Sequence, residues 1–256
     1  MNSKIEWIKK QKGKSLRVLT ATDYPMARLL DEAGIPVLLV GDSLGMVALG
    51  YPDTTHVTME DMLHHTRAVM RAAPHAVVVV DMPFQSYATP ALALLNAKKI
   101  MNLGVDAVKV EGACLEVIRA LIQEEIPVMG HLGMLPQSIQ EEGGYKIKGR
   151  SDQEREQILR EAQELQSCGV FAIVLELVLP EVAEGVTQQL SIPTIGIGAG
   201  NGCDGQILVT HDLIGFFPWF QPKHVTPLAA VGESISKAAK RYLIDLNQND
   251  LPPVQN

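Results

Sequence analysis

Short β-branched runs alternate along this chain with longer segments whose apolar residues recur every three to four positions. The runs at residues 16–21, 37–40, 76–80, 107–110, 128–130, 172–175 and 194–197 are each too short for a helix. They are also too apolar on both faces for an exposed antiparallel strand, and so read as parallel strands covered by helices. Between them the helices announce their ends. Thr58-Met59-Glu60-Asp61 is a capping box opening a helix that reaches about Ala72, and Thr89-Pro90 supplies an N-cap followed by an N1 proline. In residues 151–167 the apolar positions Ile158, Ala162 and Leu165 keep helical spacing, and Gly169 stands where a C-terminal cap is expected.

The residues ending these runs, from Asp42 through Asp81, Glu111, His131 and Glu176 to Gly198, recur on average about every 31 positions, the length of a βαβ unit. Eight such units need about 250 residues, and the chain has 256, with residues 206–209 available as an eighth strand. A single (β/α)₈ barrel over residues 1–256 is therefore the expected fold, ahead of a doubly wound sheet. Only the Asn-, Gln- and Pro-rich tail from about residue 247 reads as loose.

Composition narrows the function. The chain is 46% hydrophobic, enough at this size for a core without disulfide or metal staples. Lys plus Arg number 22 against 29 Asp plus Glu, a net charge of −7, so no general attraction to a phosphate backbone exists and no nucleic-acid partner is expected. Cys114, Cys168 and Cys203 include no Cys-x-x-Cys pair, which argues against a disulfide framework and a structural zinc site. Residues 1–15 are polar and lysine-bearing, and nowhere do about 18 apolar residues run together. A soluble, cytoplasmic protein without membrane contact is expected.

In a barrel the C-terminal strand ends converge on one mouth, where chemistry is placed. Here they are unusually polar: Thr22 and Asp23, Asp42 and Ser43, Asp81, Lys109 and Glu111, His131, Glu176, and Thr210 to Asp212. Asp42, Asp81 and Glu111 end three successive runs. Gathered at one point, they would resist ionisation unless a cation neutralised them, and an oxygen-only set selects a hard ion such as Mg²⁺. The alternative is that they cap helices or pair with Lys and Arg. Lys109 lies two residues before Glu111, so strand alternation sends both side chains into the lumen, to pair with a carboxylate or to grip a substrate's.

Other motifs are less specific. About 20 aperiodic residues between His131 and Ser151 read as a lid or binding loop. The glycines from Gly196 to Gly202 fail the dinucleotide fingerprint Gly-x-Gly-x-x-Gly, and close backbone approach to a ligand after the seventh strand explains them as well. His64 and His65 project about 100° apart on a helix and read as structural or superficial. Four aromatics among residues 216–220 suit a core or a subunit interface.

Taken in order, Thr20-Ala-Thr-Asp23, Val40-Gly-Asp-Ser-Leu-Gly-Met46, Asp81-Met-Pro-Phe84, Lys109-Val-Glu-Gly112, Gly130-His-Leu-Gly133, Pro136-Gln-Ser138, Gly143-Gly-Tyr-Lys146, Gly196-Ile-Gly-Ala-Gly200 and Asp204-Gly-Gln-Ile-Leu208 resemble the ketopantoate (3-methyl-2-oxobutanoate) hydroxymethyltransferase family over nearly the whole chain. The resemblance implies a homo-oligomeric, typically decameric barrel of the phosphoenolpyruvate/pyruvate superfamily. It implies Mg²⁺, and 5,10-methylenetetrahydrofolate as co-substrate, in hydroxymethylating the keto acid to 2-dehydropantoate through a metal-stabilised enolate. By the same resemblance Asp42, Asp81 and Glu111 match the metal environment. Asp42, Ser43, Asp81, Lys109 and His131 match the keto-acid contacts, and Glu176 matches the catalytic base. A Mg²⁺-dependent carbon–carbon lyase or mutase of that superfamily is the alternative enzyme, though the cysteine-bearing loop of its isocitrate-type members is missing. A non-enzymatic barrel serving as a binding module is the remaining reading.

Overall fold

The computed structural model describes residues 3–72, 75–219 and 221–248. They form two compact units, Met1–Leu208 and a second beginning at Val209, a boundary that no shift in composition marks. The first unit runs α1 (Ser3–Lys9), β1 (Leu16–Thr20), α2 (Tyr24–Glu32), β2 (Val37–Val40), α3 (Leu44–Val47), α4 (Met59–Met70), β3 (Val77–Asp81), α5 (Pro90–Met101), β4 (Ala107–Glu111), α6 (Leu115–Gln123), β5 (Val128–Gly133), α7 (Ile139–Glu142), α8 (Asp152–Cys168), β6 (Ala172–Glu176), α9 (Pro180–Gln189), β7 (Thr194–Ile197) and β8 (Gly205–Leu208). All eight strands are parallel. They close in chain order, β8 pairing with β1 through Leu16↔Gly205 to Leu19↔Leu208, which excludes the open doubly wound sheet.

The period of two sorts each strand's side chains. Leu38, Val40, Val78, Val80, Val108, Val110, Ile173 and Leu175 point outward into the layer shared with the helices. Val37, Leu39, Val77, Val79, Ala107, Met129, Ala172, Val174 and Ile195 point inward and fill the lumen together with Phe171. Ile5 and Ile8 of α1 join this inner cluster and close its N-terminal end. That helix was not expected, because Ile5, Trp7 and Ile8 in a short polar stretch give almost no periodic signal.

The expected helix ends are present. Thr58 and Asp61 cap α4 reciprocally, Thr89 accepts from the Leu92 N–H ahead of Pro90, and α8 carries a second capping box, Ser151 with Glu154, and ends at Gly169 with φ +100°. The aperiodic stretch after His131 is not a structureless loop. β5 continues to Gly133, a turn of 3₁₀ helix (Pro136–Ser138) leads into α7, and the return is pinned where Lys148 N–H donates to Leu177 O at 2.8 Å. Packing accounts for two of the late glycines: a Cβ on Gly200 would lie 2.7 Å from Pro180 Cβ, and one on Gly202 2.7 Å from Glu184 Cβ.

The second unit contains α10 (Thr210–Leu213) and α11 (Val231–Gln248). In it Phe216 meets His211 edge-on and Phe217 meets Trp219, with Phe220 outside the described residues. The expected loose tail from 247 also lies outside them beyond its first two residues. Among the described residues no helix is long and apolar enough to cross a membrane. All three cysteines are free.

Candidate active site

Inward parity continues past the apolar lumen. Above Val79 it gives Asp81, above Ala107 Lys109 and then Glu111, above Met129 His131, and above Val174 Glu176. Register sets these side by side: Asp81 is opposite Lys109, Glu111 opposite His131. Asp42 arrives differently. It is out of phase with Val37 and Leu39, and the chain turns at Gly41, where a Cβ would lie 3.1 Å from Ser43 Oγ and 3.5 Å from Asp81 Oδ2. That space lets the Asp42 N–H donate to Asp81 Oδ2 at 3.1 Å and keeps the Ser43 hydroxyl at the edge of the same cluster.

A chain of charges results. Lys109 Nζ is 3.0 Å from Asp81 Oδ1, 4.0 Å from Glu111 Oε1 and 3.2 Å from His131 Nδ1. His131 Nδ1 is 3.3 Å from Glu111 Oε1, and its Nε2 is 3.3 Å from Glu176 Oε2. Asp42, Asp81, Lys109, Glu111 and His131 are all 5% exposed or less, whereas the Glu176 side chain keeps 16% and looks out through the mouth.

Burial and mutual repulsion decide the protonation. Burial, then the charges of Asp81 and Glu111, push Asp42 well above the usual carboxylate range. Burial also raises Asp81, against the pull of Lys109. Burial would raise Glu111 too, but His131, Lys109 and the Gln137 N–H hold it below its ordinary value. For Lys109 the penalty of burial is overcome by Asp81, Glu111 and Asp42, and its pKa rises. His131 is pushed up to about 9: burial and Lys109 oppose the charged form, and Glu111 and Glu176 outweigh them. Four carboxyl groups thus face two bases. Fully ionised, the cluster is two positive charges short, which protons or a divalent cation must supply.

Sequence reasoning missed three contributors. Gln137 donates through Nε2 to Asp42 Oδ2 at 2.8 Å and through its backbone N–H to Glu111 Oε2 at 3.1 Å. Tyr87 donates to Gln137 Oε1 at 2.5 Å. Tyr145, half-exposed, reaches Met46 Sδ at 3.8 Å. Burial of its ring, then the charges of Glu176, Asp42 and Glu111, push it up to about 12, which puts it in the field of the site. The Pro136-Gln-Ser138 and Gly143-Gly-Tyr145 motifs were the available signals. His65, by contrast, is structural: its Nδ1 is 2.5 Å from the Thr22 carbonyl.

Among the described residues no three acidic, imidazole or thiol groups already gather their donor atoms round one point, for Lys109 Nζ lies between Asp81 and Glu111. Asp81 Oδ1, Glu111 Oε1 and His131 Nε2 are buried and are met by charged neighbours, Lys109 Nζ at 3.0 Å, His131 Nδ1 at 3.3 Å and Glu176 Oε2 at 3.3 Å respectively. Carboxylates buried in excess of their cationic partners are costly unless protons or a cation complete them.

A closed parallel barrel with charged groups crowded at its C-terminal strand ends belongs to the (β/α)₈ enzyme class. Solved structures agree at the level of fold: phosphonopyruvate hydrolase in complex with oxalate and Mg²⁺ (TM-score 0.68, 13% identity, 98% of this chain and 92% of that one) and 2,3-dimethylmalate lyase (0.62, 17%, 100% and 92%). The family model of ketopantoate hydroxymethyltransferase matches residues 3–253. The 3-methyl-2-oxobutanoate hydroxymethyltransferase of Acetivibrio thermocellus is 49% identical over 251 residues, covering 96% of this chain and 89% of the relative. That of Thermotoga neapolitana is 48% identical over 253 residues, covering 97% and 93%. The chain belongs to the ketopantoate hydroxymethyltransferase family, and is accordingly an enzyme of the hydroxymethyltransferase type.

Proposed function

We propose that this chain transfers the one-carbon unit of 5,10-methylenetetrahydrofolate to C3 of 3-methyl-2-oxobutanoate, giving 2-dehydropantoate, with Mg²⁺ held by Asp42, Asp81 and Glu111. The observation that carries the reading is the pairing of a mouth-facing carboxylate, Glu176, with a buried cluster in which the carboxyls of Asp42, Asp81 and Glu111 outnumber the cations Lys109 and His131. The charge deficit and an all-carboxylate donor set fit a hard divalent cation. When bound, such a cation supplies positive charge beside the keto-acid oxygens, which makes loss of the C3 proton less costly.

The protein's groups then divide the work. Lys109, held by Asp81, presents an ammonium to the keto-acid carboxylate, and the Ser43 hydroxyl borders the same space. Glu176 takes the C3 proton, while His131 fixes that carboxylate's orientation from 3.3 Å. C3 forms its new bond to the folate-borne carbon as one of that carbon's two bonds to folate nitrogen breaks; water supplies the hydroxyl as the second breaks, and tetrahydrofolate leaves with the C3 proton and one water proton on its two nitrogens. Family membership supports a homo-oligomer, a decamer by resemblance, which light scattering on the purified protein tests.

Purified protein with Mg²⁺, the keto acid and methylenetetrahydrofolate should form 2-dehydropantoate. Glu176→Gln should abolish exchange of the C3 hydrogen with solvent deuterium while the keto acid still binds. Exchange at the wild-type rate in that variant would remove Glu176 from the mechanism.

A further inference from the structure

Gln137 lies in the 3₁₀ turn Pro136–Ser138, is 5% exposed and uses every N–H it has. Its backbone N–H donates to Glu111 Oε2 at 3.1 Å. Its Nε2 donates to Asp42 Oδ2 at 2.8 Å and to the Met82 carbonyl at 3.0 Å, and its Oε1 accepts from the Tyr87 hydroxyl at 2.5 Å. A carbonyl can only accept, so Met82 forbids the amide from turning round, and the nitrogen must face Asp42. Tyr87 supports that polarity from the other side by donating to the oxygen.

The consequence for the carboxylates is specific. One lone pair of Asp42 Oδ2 is engaged by the amide, which favours Oδ1 for a cation. Glu111 Oε2 accepts from the backbone N–H, which favours Oε1, the oxygen that faces His131 Nδ1 at 3.3 Å and Lys109 Nζ at 4.0 Å. We infer that Gln137 is a positioning residue that holds Asp42 and Glu111 by one oxygen each and thereby turns the other oxygen of each toward a divalent cation, with Tyr87 setting the direction of its amide. The inference rests on the metal site proposed above and adds the residue that orients it.

Mn²⁺ binding to the full-length protein, measured by calorimetry and by the loss of the free-ion electron paramagnetic resonance signal, tests this without turnover. Gln137→Met keeps the backbone N–H and most of the volume but removes the amide; it should weaken Mn²⁺ binding about 10- to 100-fold, the usual effect of losing a group that orients metal ligands. The keto-acid KM should rise with it, while the folate KM stays within about twofold. Tyr87→Phe should weaken Mn²⁺ binding less, and the double variant should bind no worse than Gln137→Met alone, since Tyr87 acts through the amide. A folded Gln137→Met that binds Mn²⁺ within about twofold of wild type overturns the inference. If that variant does not fold, Tyr87→Phe decides, and unchanged binding there overturns it equally. Wild-type protein that binds no Mn²⁺ overturns the metal site itself, a different result from wild-type binding with unaffected variants.

Discussion

Val77 and Val79 point into the barrel on the same face of β3 that ends in Asp81, as Ala107 does beneath Lys109 and Glu111, Met129 beneath His131, and Val174 beneath Glu176. The lower lumen is hydrocarbon, closed by Ile5, Ile8 and Phe171, and every contact in it favours folding. The upper lumen continues the same alternation with ionisable groups, among them Asp81, a carboxyl that burial holds above its ordinary pKa. One strand pattern therefore builds a stabilising layer and a layer that costs stability, and the second is where the chemistry is.

The comparison breaks most sharply at Lys109. Lys109→Met leaves Asp81 and Glu111 buried without their ammonium, which should cost about 3–5 kcal/mol in denaturant unfolding and remove turnover. Adding Asp81→Asn should restore most of the stability and none of the activity. A double variant that regains turnover would mean that these charges are structural. Next comes the lower layer. Phe171 is 1% exposed, so Phe171→Ala should cost about 3–5 kcal/mol, or roughly 6–20 °C in Tm, while kcat/KM per folded molecule changes by less than about twofold. Activity falling in step with stability would show that the two layers are not separable.

A smaller effect belongs to the N-terminal face, where Asp31 accepts from the N–H groups of His75 and Ala76 and faces His75 Nδ1 at 2.8 Å. Burial would raise its pKa, but these hydrogen bonds hold it below the ordinary value. The folded pKa is the lower one, so the stabilisation is complete above the unfolded value of about 3.9 and is lost as pH falls through the folded pKa. Asp31→Asn should cost about 1–3 kcal/mol at neutral pH and flatten the acid limb of stability against pH. An unchanged acid limb would remove Asp31 as its source.

How much of this was legible follows from the same periodicity. Asp81, Lys109, Glu111, His131 and Glu176 could be named because a period of two fixes their face once the strand is recognised. Asp42 was named for ending an apolar run, yet its place depends on the turn at Gly41, which no periodicity carries. Gln137 and Tyr87 come from connections after β5 and β3, and their meeting at 2.5 Å is set by tertiary packing alone. α1 stayed hidden because Ile5 and Ile8 find their partners in the lumen rather than in neighbouring sequence.

The mildest test has the opposite sign. At the end of α6, Glu125 adopts φ +58°, with Ile126 N–H donating to Leu121 O at 3.1 Å and Glu125 N–H to Ile122 O at 3.0 Å. This is the left-handed C-terminal cap that glycine fills without a Cβ penalty. The Glu125 side chain is exposed and makes no described ion pair, so Glu125→Gly removes little beyond the strain. It should raise stability by about 0.5–1 kcal/mol, set by the backbone term alone, and leave kcat/KM where it was. The N-terminal face of the barrel can then be stabilised without touching the mouth. A loss of activity in this variant would tie the two faces together and remove the distinction between the layers.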